Sequence, residues 1–305
     1  MIVDCHTCIW QSRGQLGRGS RRSTGPFPAR THAGAEPPDY AGADRHEEAT
    51  QPVDAAFVLA FKSLYLDADV PNQLVSDYIR TNPRRLIGFA AVDPTEPRQA
   101  VEDLHFAHAE LNMRGVSLSP AAQNFHPCHT NAKPCYEAAA KLEMPIVFHT
   151  GFRDGPEVVL QYAQPSLLDE VAREFPTLRI IIAHMGYPWI QETIVMLAKH
   201  PYVYTDISWL LHQPWQAYQA LVSAYQFGVI DKLLFGSGFP YTHPAQSIEA
   251  LYGINQIAAG TSLPTIPREK LRGIVERDVL DLLGIHASHT NRNADSNESL
   301  LDDED

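Results

Sequence analysis

Arg179-Ile180-Ile181-Ile182-Ala183-His184-Met185-Gly186 places four apolar residues in succession and then stops at a histidine. A strand with one wet face would alternate apolar and polar residues. An unbroken run is expected where both faces are covered, as in a parallel sheet flanked by helices. The same signature recurs along the chain. Strands are predicted at Ile2–Cys8, Ala55–Phe61, Arg85–Val92, Arg114–Ser119, Pro145–His149, Arg179–His184, Tyr202–Asp206 and Lys232–Gly236. Helical periodicity separates most of them, at Asn72–Thr81, Pro97–Leu111, Lys133–Leu142, Ser166–Phe175, Pro188–Lys199, Trp215–Phe227 and Pro244–Ala258, with Pro267–Leu283 closing the series.

Strands that alternate with helices imply right-handed crossovers and a parallel sheet. Eight such units predict an α/β fold, a single-domain (β/α)8 TIM barrel over residues 1–285, a fold that typically takes ~250 residues. A doubly wound open sheet is the competitor. It would carry a glycine-rich phosphate turn after its first strand, and none follows Cys8. Two segments break the rhythm. Residues 11–44 are rich in Gly, Pro, Ser and Arg with no apolar period. They read either as a disordered insertion or as a lid over an anionic substrate, since they follow strand one. The polar tail 286–305, ending Leu301-Asp302-Asp303-Glu304-Asp305, reads as disordered.

Composition excludes some roles. With 36 acidic and 24 basic residues among 305, the net charge is −12, which argues against nucleic acid. A small-molecule partner is expected instead, and a homo-oligomer is left open. No run approaches ~18 consecutive apolar residues, so no membrane span is expected. The opening Met1-Ile2-Val3-Asp4-Cys5-His6 has no basic, then apolar, export pattern, so a cytoplasmic location with reduced thiols is expected.

Barrel chemistry sits at the C-terminal ends of the strands, and the polar residues there are informative. They are His6 and Cys8 on strand one, His149 on strand five, His184 on strand six and Asp206 on strand seven. Alternation predicts that His6 and Cys8 share the luminal face with Asp4 below them, while Cys5 points to the helices. Three histidines at three strand ends suggest one shared centre. His126, Cys128, His129 and Cys135 follow strand four in no common zinc spacing. His243 reads as a surface histidine, and Trp10, Trp189, Trp209 and Trp215 as core or pocket wall.

Taken in order, Asp4-x-His6, Pro145-x-x-x-His149-Thr150-Gly151, Ala183-His184-x-Gly186, Asp206-x-Ser208, Phe235-Gly236-Ser237-x-Phe239-Pro240 and Leu282-Leu283-Gly284 resemble the amidohydrolase superfamily. The nearest subgroup is the one that includes aminocarboxymuconate semialdehyde decarboxylase. The resemblance implies a divalent metal, most often zinc, at the barrel mouth, with His6 and His149 as ligands and His184 as a proton-transfer residue. Two positions depart from the family pattern. Cys8 stands where a second strand-one histidine is expected, and Gly238 where strand eight carries an aspartate. A thiolate is a good zinc ligand, so His6, Cys8 and His149 are the expected metal set, with His184 and Asp206 catalytic. Arg153 is the candidate partner for a substrate carboxylate.

Two functions follow from this reading. One is a metal-dependent hydrolase or decarboxylase acting on a small carboxylated, lactone or amide substrate. The alternative is a catalytically impaired barrel that binds a small molecule or a protein partner.

Overall fold

The computed structural model describes residues 1–20, 38–150 and 157–285. Arg153, the middle of the 11–44 segment and the acidic tail lie outside the described residues. Ten strands run in chain order as β1 (Val3–Cys8), β2 (Ala55–Leu59), β3 (Phe61–Ser63), β4 (Ala68–Val70), β5 (Leu86–Ala91), β6 (Gly115–Leu118), β7 (Ile146–Phe148), β8 (Ile180–Ile182), β9 (Val203–Asp206) and β10 (Leu233–Leu234). Eight of them form one parallel sheet in the order β1-β2-β5-β6-β7-β8-β9-β10.

The sheet returns to its own start. A parallel bridge joins Thr7 to Phe239, Cys5 N donates to Phe235 O at 2.9 Å, and Gly238 N donates to His6 O at 2.9 Å. Closure removes both sheet edges and makes a barrel. Helices follow the strands, as at Pro97–Ala109 between β5 and β6 and Lys133–Lys141 between β6 and β7.

Alternation along each strand divides the apolar residues between two layers. Ala55, Phe57 and Leu59 join Phe89, Val147, Ile181, Tyr204 and Leu234 in the barrel interior. Ala56, Val58 and Ala60 join Leu104, Tyr136, Ile194 and Leu221 between sheet and helices. Val279, Leu283 and Ile285 belong to the inner cluster as well, so the closing segment plugs the barrel floor.

Inside, Phe57 and Phe89 pair with ring centroids 4.6 Å apart. Gly115 on β6 makes room for that pair, because a Cβ there would lie 2.2 Å from Phe89 Cε1. Gly115→Ala is therefore expected to overpack the core and destabilise by about 1–3 kcal/mol. Urea unfolding with an unchanged slope would measure it, and a wild-type midpoint would contradict it.

All eight predicted barrel strands are present, and the differences are local. The second run ends at Leu59, and Phe61–Ser63 turns away to form an antiparallel hairpin with β4. The last predicted helix is two, Arg268–Val275 and Val279–Leu282. The described parts of the 11–44 segment are ordered by contacts sequence periodicity does not report. Arg13–Ser20 is 3-10 helix, and Trp10 and Ala41 pair through both backbone amides at 2.9 and 3.0 Å. Ala43–Ala49 is an α-helix. Among the described residues, no helix is long and apolar enough to cross a membrane.

Candidate functional site

The first strand carries an irregularity that decides which side chains reach the rim. Asp4 pairs with Ala56 and Thr7 with Val58, so three steps on β1 answer two on β2. This is a bulge, which inserts one residue and shifts the alternation beyond it. Cys5 consequently lies in the interior cluster with Phe57 and Val147, not toward the helices. Asp4 pairs with the outward Ala56, and its Oδ1 accepts from Ser237 N at 2.8 Å and His6 N at 3.2 Å. Burial raises the Asp4 carboxyl to about 6 against those hydrogen bonds.

Beyond the bulge, Thr7 faces the helices and Cys8 packs at the edge of the inner cluster beside Val70 and Phe239. The candidate metal set that does assemble is His6, His149 and His184, whose ligand atoms all lie within 4.8 Å of one another, and Cys8 is outside it.

These imidazoles come from three directions. His6 and His149 meet edge to face with centroids 5.0 Å apart, and His6 and His184 lie 4.5 Å apart. His149 follows β7 and its Nε2 is 3.1 Å from Ser117 Oγ on β6. His184 follows β8 in a left-handed backbone conformation, φ 56°, which turns it inward directly after the inward Ala183.

Asp206, at the end of β9 and fully buried, organises two of the three. Its Oδ2 is 3.0 Å from His6 Nδ1. Its Oδ1 accepts from His184 N at 3.1 Å, from Ser208 N at 3.0 Å and from the Ser208 hydroxyl. Burial opposes ionisation of this carboxyl, but the facing His6 imidazole and its hydrogen bond, with His184 and Ser208, hold it well below the usual carboxylate range. An ionised Asp206 fixes the His6 proton on Nδ1. Because Ser208 gives its proton to Asp206, it accepts from His184 Nδ1 at 2.7 Å. Both rings thus present Nε2 as a lone pair.

His6 Nε2 is buried and has no hydrogen-bond partner among the described residues. A buried, unpaired nitrogen on an imidazole braced by a carboxylate is the usual disposition of a metal-binding histidine. The residues present therefore fit a divalent cation. Histidine nitrogens suit zinc and other first-row ions alike, so the donors do not discriminate among them.

The position expected to hold a strand-eight aspartate is filled otherwise. Gly238 has φ 81°, and a Cβ on it would lie 2.1 Å from Trp209 Cδ1. The Trp209 indole stacks on His184 at 4.8 Å and 18°, and donates from Nε1 to Gly238 O at 3.3 Å. Tyr241 meets the same indole edge-on at 5.0 Å.

Sequence comparison now has a geometry to explain. An amidohydrolase family model matches residues 3–275. The chain belongs to the amidohydrolase family. No curated protein matches the sequence, but solved structures do. An uncharacterised TIM-barrel protein from Bordetella bronchiseptica is 19% identical with a TM-score of 0.69, over 93% of this chain and 98% of that one. A probable 2-pyrone-4,6-dicarboxylic acid hydrolase from Acinetobacter baumannii, solved with citric acid bound, is 17% identical with a TM-score of 0.63, over 93% and 99%. A 5-carboxyvanillate decarboxylase from Novosphingobium aromaticivorans, solved with manganese and a nitrobenzoic acid, is 14% identical with a TM-score of 0.65, over 93% and 96%. At these identities the likeness to solved structures is one of fold.

In this amidohydrolase the other polar candidates lie outside the His6–His149–His184 group. His243 is exposed and touches Phe239 edge-on. Cys135 is buried, Cys128 Sγ donates to Leu167 O, and His126 and His129 accept from nearby backbone amides. No second metal-binding group forms among the described residues.

Sequence reasoning did not find His46 or Ser117. Ser117 leaves a faint signal, a hydroxyl inside the apolar strand Gly115-Val116-Ser117-Leu118. His46 leaves none. It is fully buried on the helix Ala43–Ala49, with Nε2 2.7 Å from Thr7 Oγ1 and Nδ1 2.9 Å from Tyr78 Oη. Thr7 donates to Phe57 O, so it accepts from His46, and His46 in turn accepts from Tyr78. Burial, aided by the Arg85 charge, lowers the His46 pKa to about 3.

An unfolded histidine takes up a proton below about pH 6.5, whereas folded His46 refuses it down to about 3. Stability is thus complete above the unfolded value and falls with pH below it, by about 1.4 kcal/mol per pH unit. His46→Gln is expected to flatten this acid limb. Unfolding free energies between pH 6 and pH 4 that fall equally steeply in both proteins would contradict that.

Proposed function

We propose that the chain is a divalent-metal-dependent enzyme that acts on a small carboxylated substrate, with decarboxylation favoured over hydrolysis. The observation that carries this is the convergence of His6, His149 and His184 on one point, with the buried His6 Nε2 unpaired among the described residues. These three would hold the cation, and three protein ligands leave a position open for substrate. Zinc is the ion expected from the sequence, and manganese stands beside it because the carboxyvanillate decarboxylase was solved with that metal. A bound cation supplies a Lewis acid at the substrate's carboxylate oxygens.

The remaining work belongs to the protein. Asp206 orients His6 directly and His184 through Ser208. This assigns Asp206 to positioning, and His184 to the cation rather than to a free acid–base role. Trp209 and Tyr241 wall the rim beside His184. Hydrolysis needs a group that takes a proton from attacking water. Gly238 cannot be that group, and both Asp206 oxygens are engaged. Loss of CO2 needs no base; the proton that replaces the carboxylate on carbon would come from water, and for this reason it is preferred. Arg153 is retained as a candidate partner for a second substrate carboxylate.

The test is metal analysis of protein purified without chelator, followed by an assay with Mn or Zn on hydroxybenzoates, their carboxylated relatives and pyrone dicarboxylates. CO2 release that disappears in His149→Ala supports the proposal. Ring opening without CO2 release would move it to the hydrolase class. Absence of metal and of turnover would return the barrel to a binding role.

A further inference from the structure

Three imidazoles bring no negative charge to a divalent cation. The carboxylate that faces them, Asp206, stands behind His6 with Oδ2 on its Nδ1 and spends Oδ1 on two backbone amides and Ser208. On the closing strand Gly238 offers only backbone, and the volume beside it is taken by the Trp209 indole, which is pinned to Gly238 O and stacked on His184. Tyr241 backs that indole. Among the described residues, the rim beside Gly238 is therefore aromatic.

We infer that the Trp209–Gly238 pair makes the centre anion-dependent: cation and substrate carboxylate bind together, each completing the site for the other. This rests on the metal-dependent reading above and goes beyond it, because it assigns the missing charge to the ligand and the cause to Trp209. The cation gains a charged oxygen in a water-poor site, where the attraction is far stronger than in bulk water. Linkage makes the effect reciprocal, so the anion must tighten the cation by the same factor that the cation tightens the anion.

Wild-type protein titrated with Mn2+, with free ion read by electron paramagnetic resonance, provides the test. The probe anion is isophthalate, whose meta carboxylates chelate Mn2+ poorly by themselves, and benzamide serves as an uncharged control. Saturating isophthalate is expected to tighten Mn2+ at least tenfold, saturating Mn2+ to tighten isophthalate equally, and benzamide to do neither. A Mn2+ affinity that isophthalate leaves unchanged overturns the inference while the metal-dependent reading stands. Absence of any Mn2+ or Zn2+ binding overturns both. Trp209→Ala combined with Gly238→Asp supplies a protein carboxylate in the space the indole leaves, at the cost of a side chain at φ 81°. That double variant, folded by circular dichroism, is expected to bind Mn2+ more tightly alone and to lose most of the coupling. A folded double variant with wild-type coupling would overturn the role given to Trp209.

Discussion

His6→Ala is expected to lower the folding stability of the metal-free protein by about 1–3 kcal/mol or somewhat more, the cost of leaving a buried polar acceptor without its donor. The reason is Asp206. Its Oδ2 faces His6 Nδ1 at 3.0 Å, and both side chains are shielded from solvent. Alanine would leave a buried carboxylate oxygen without its donor. Chemical denaturation should show a lower midpoint at unchanged slope. Adding Asp206→Ala should recover part of the loss, since the double variant no longer buries an orphaned charge. Losses that simply add would show that the two residues are not coupled.

His149→Ala should behave oppositely. His149 is half-buried, and its Nε2 is 3.1 Å from the Ser117 hydroxyl. Its removal is expected to cost little stability but to weaken cation binding by more than about 100-fold. Loss of an outer partner alone commonly costs 10–100-fold, and a direct ligand should exceed that. Metal titration followed by thermal unfolding with and without Mn2+ would separate the two effects. Wild-type protein should be stabilised by the ion in proportion to its saturation, and the variant should not. Equal metal affinity in the two proteins would remove His149 from the centre.

Much of this was visible in the sequence, for a physical reason. A barrel strand buried on both faces must be apolar, so Ile180, Ile181 and Ile182 announce themselves, and the polar residue that ends each run marks the rim. His6, His149, His184 and Asp206 were found that way, and they are the residues the fold gathers. The errors share one origin. They concern features set by a neighbour and not by the segment itself. The β1 bulge is a mismatch with β2, so strict alternation turned Cys5 the wrong way. The place of His184 in the trio depends on a positive φ that no propensity encodes. Trp209 matters because of what Gly238 lacks, a relation spanning two strands. His46 sits in a stretch without apolar period and is buried by Thr7 and Tyr78 from distant parts of the chain.

The bulge has a further consequence for how such a centre can arise or vanish. His6 is the residue by which β1 outnumbers its neighbour, so its inward reach does not depend on the in-and-out phase of the strand. Changing its identity alters one ligand and leaves the strand's packing in place. Deleting His6 itself would instead bring the two strands back into step and remove the ligand in a single event, at the expense of the Asp206 Oδ2 partner. In this barrel a change of length, more than a change of residue type, is the economical way to turn a metal-binding rim into an inert one.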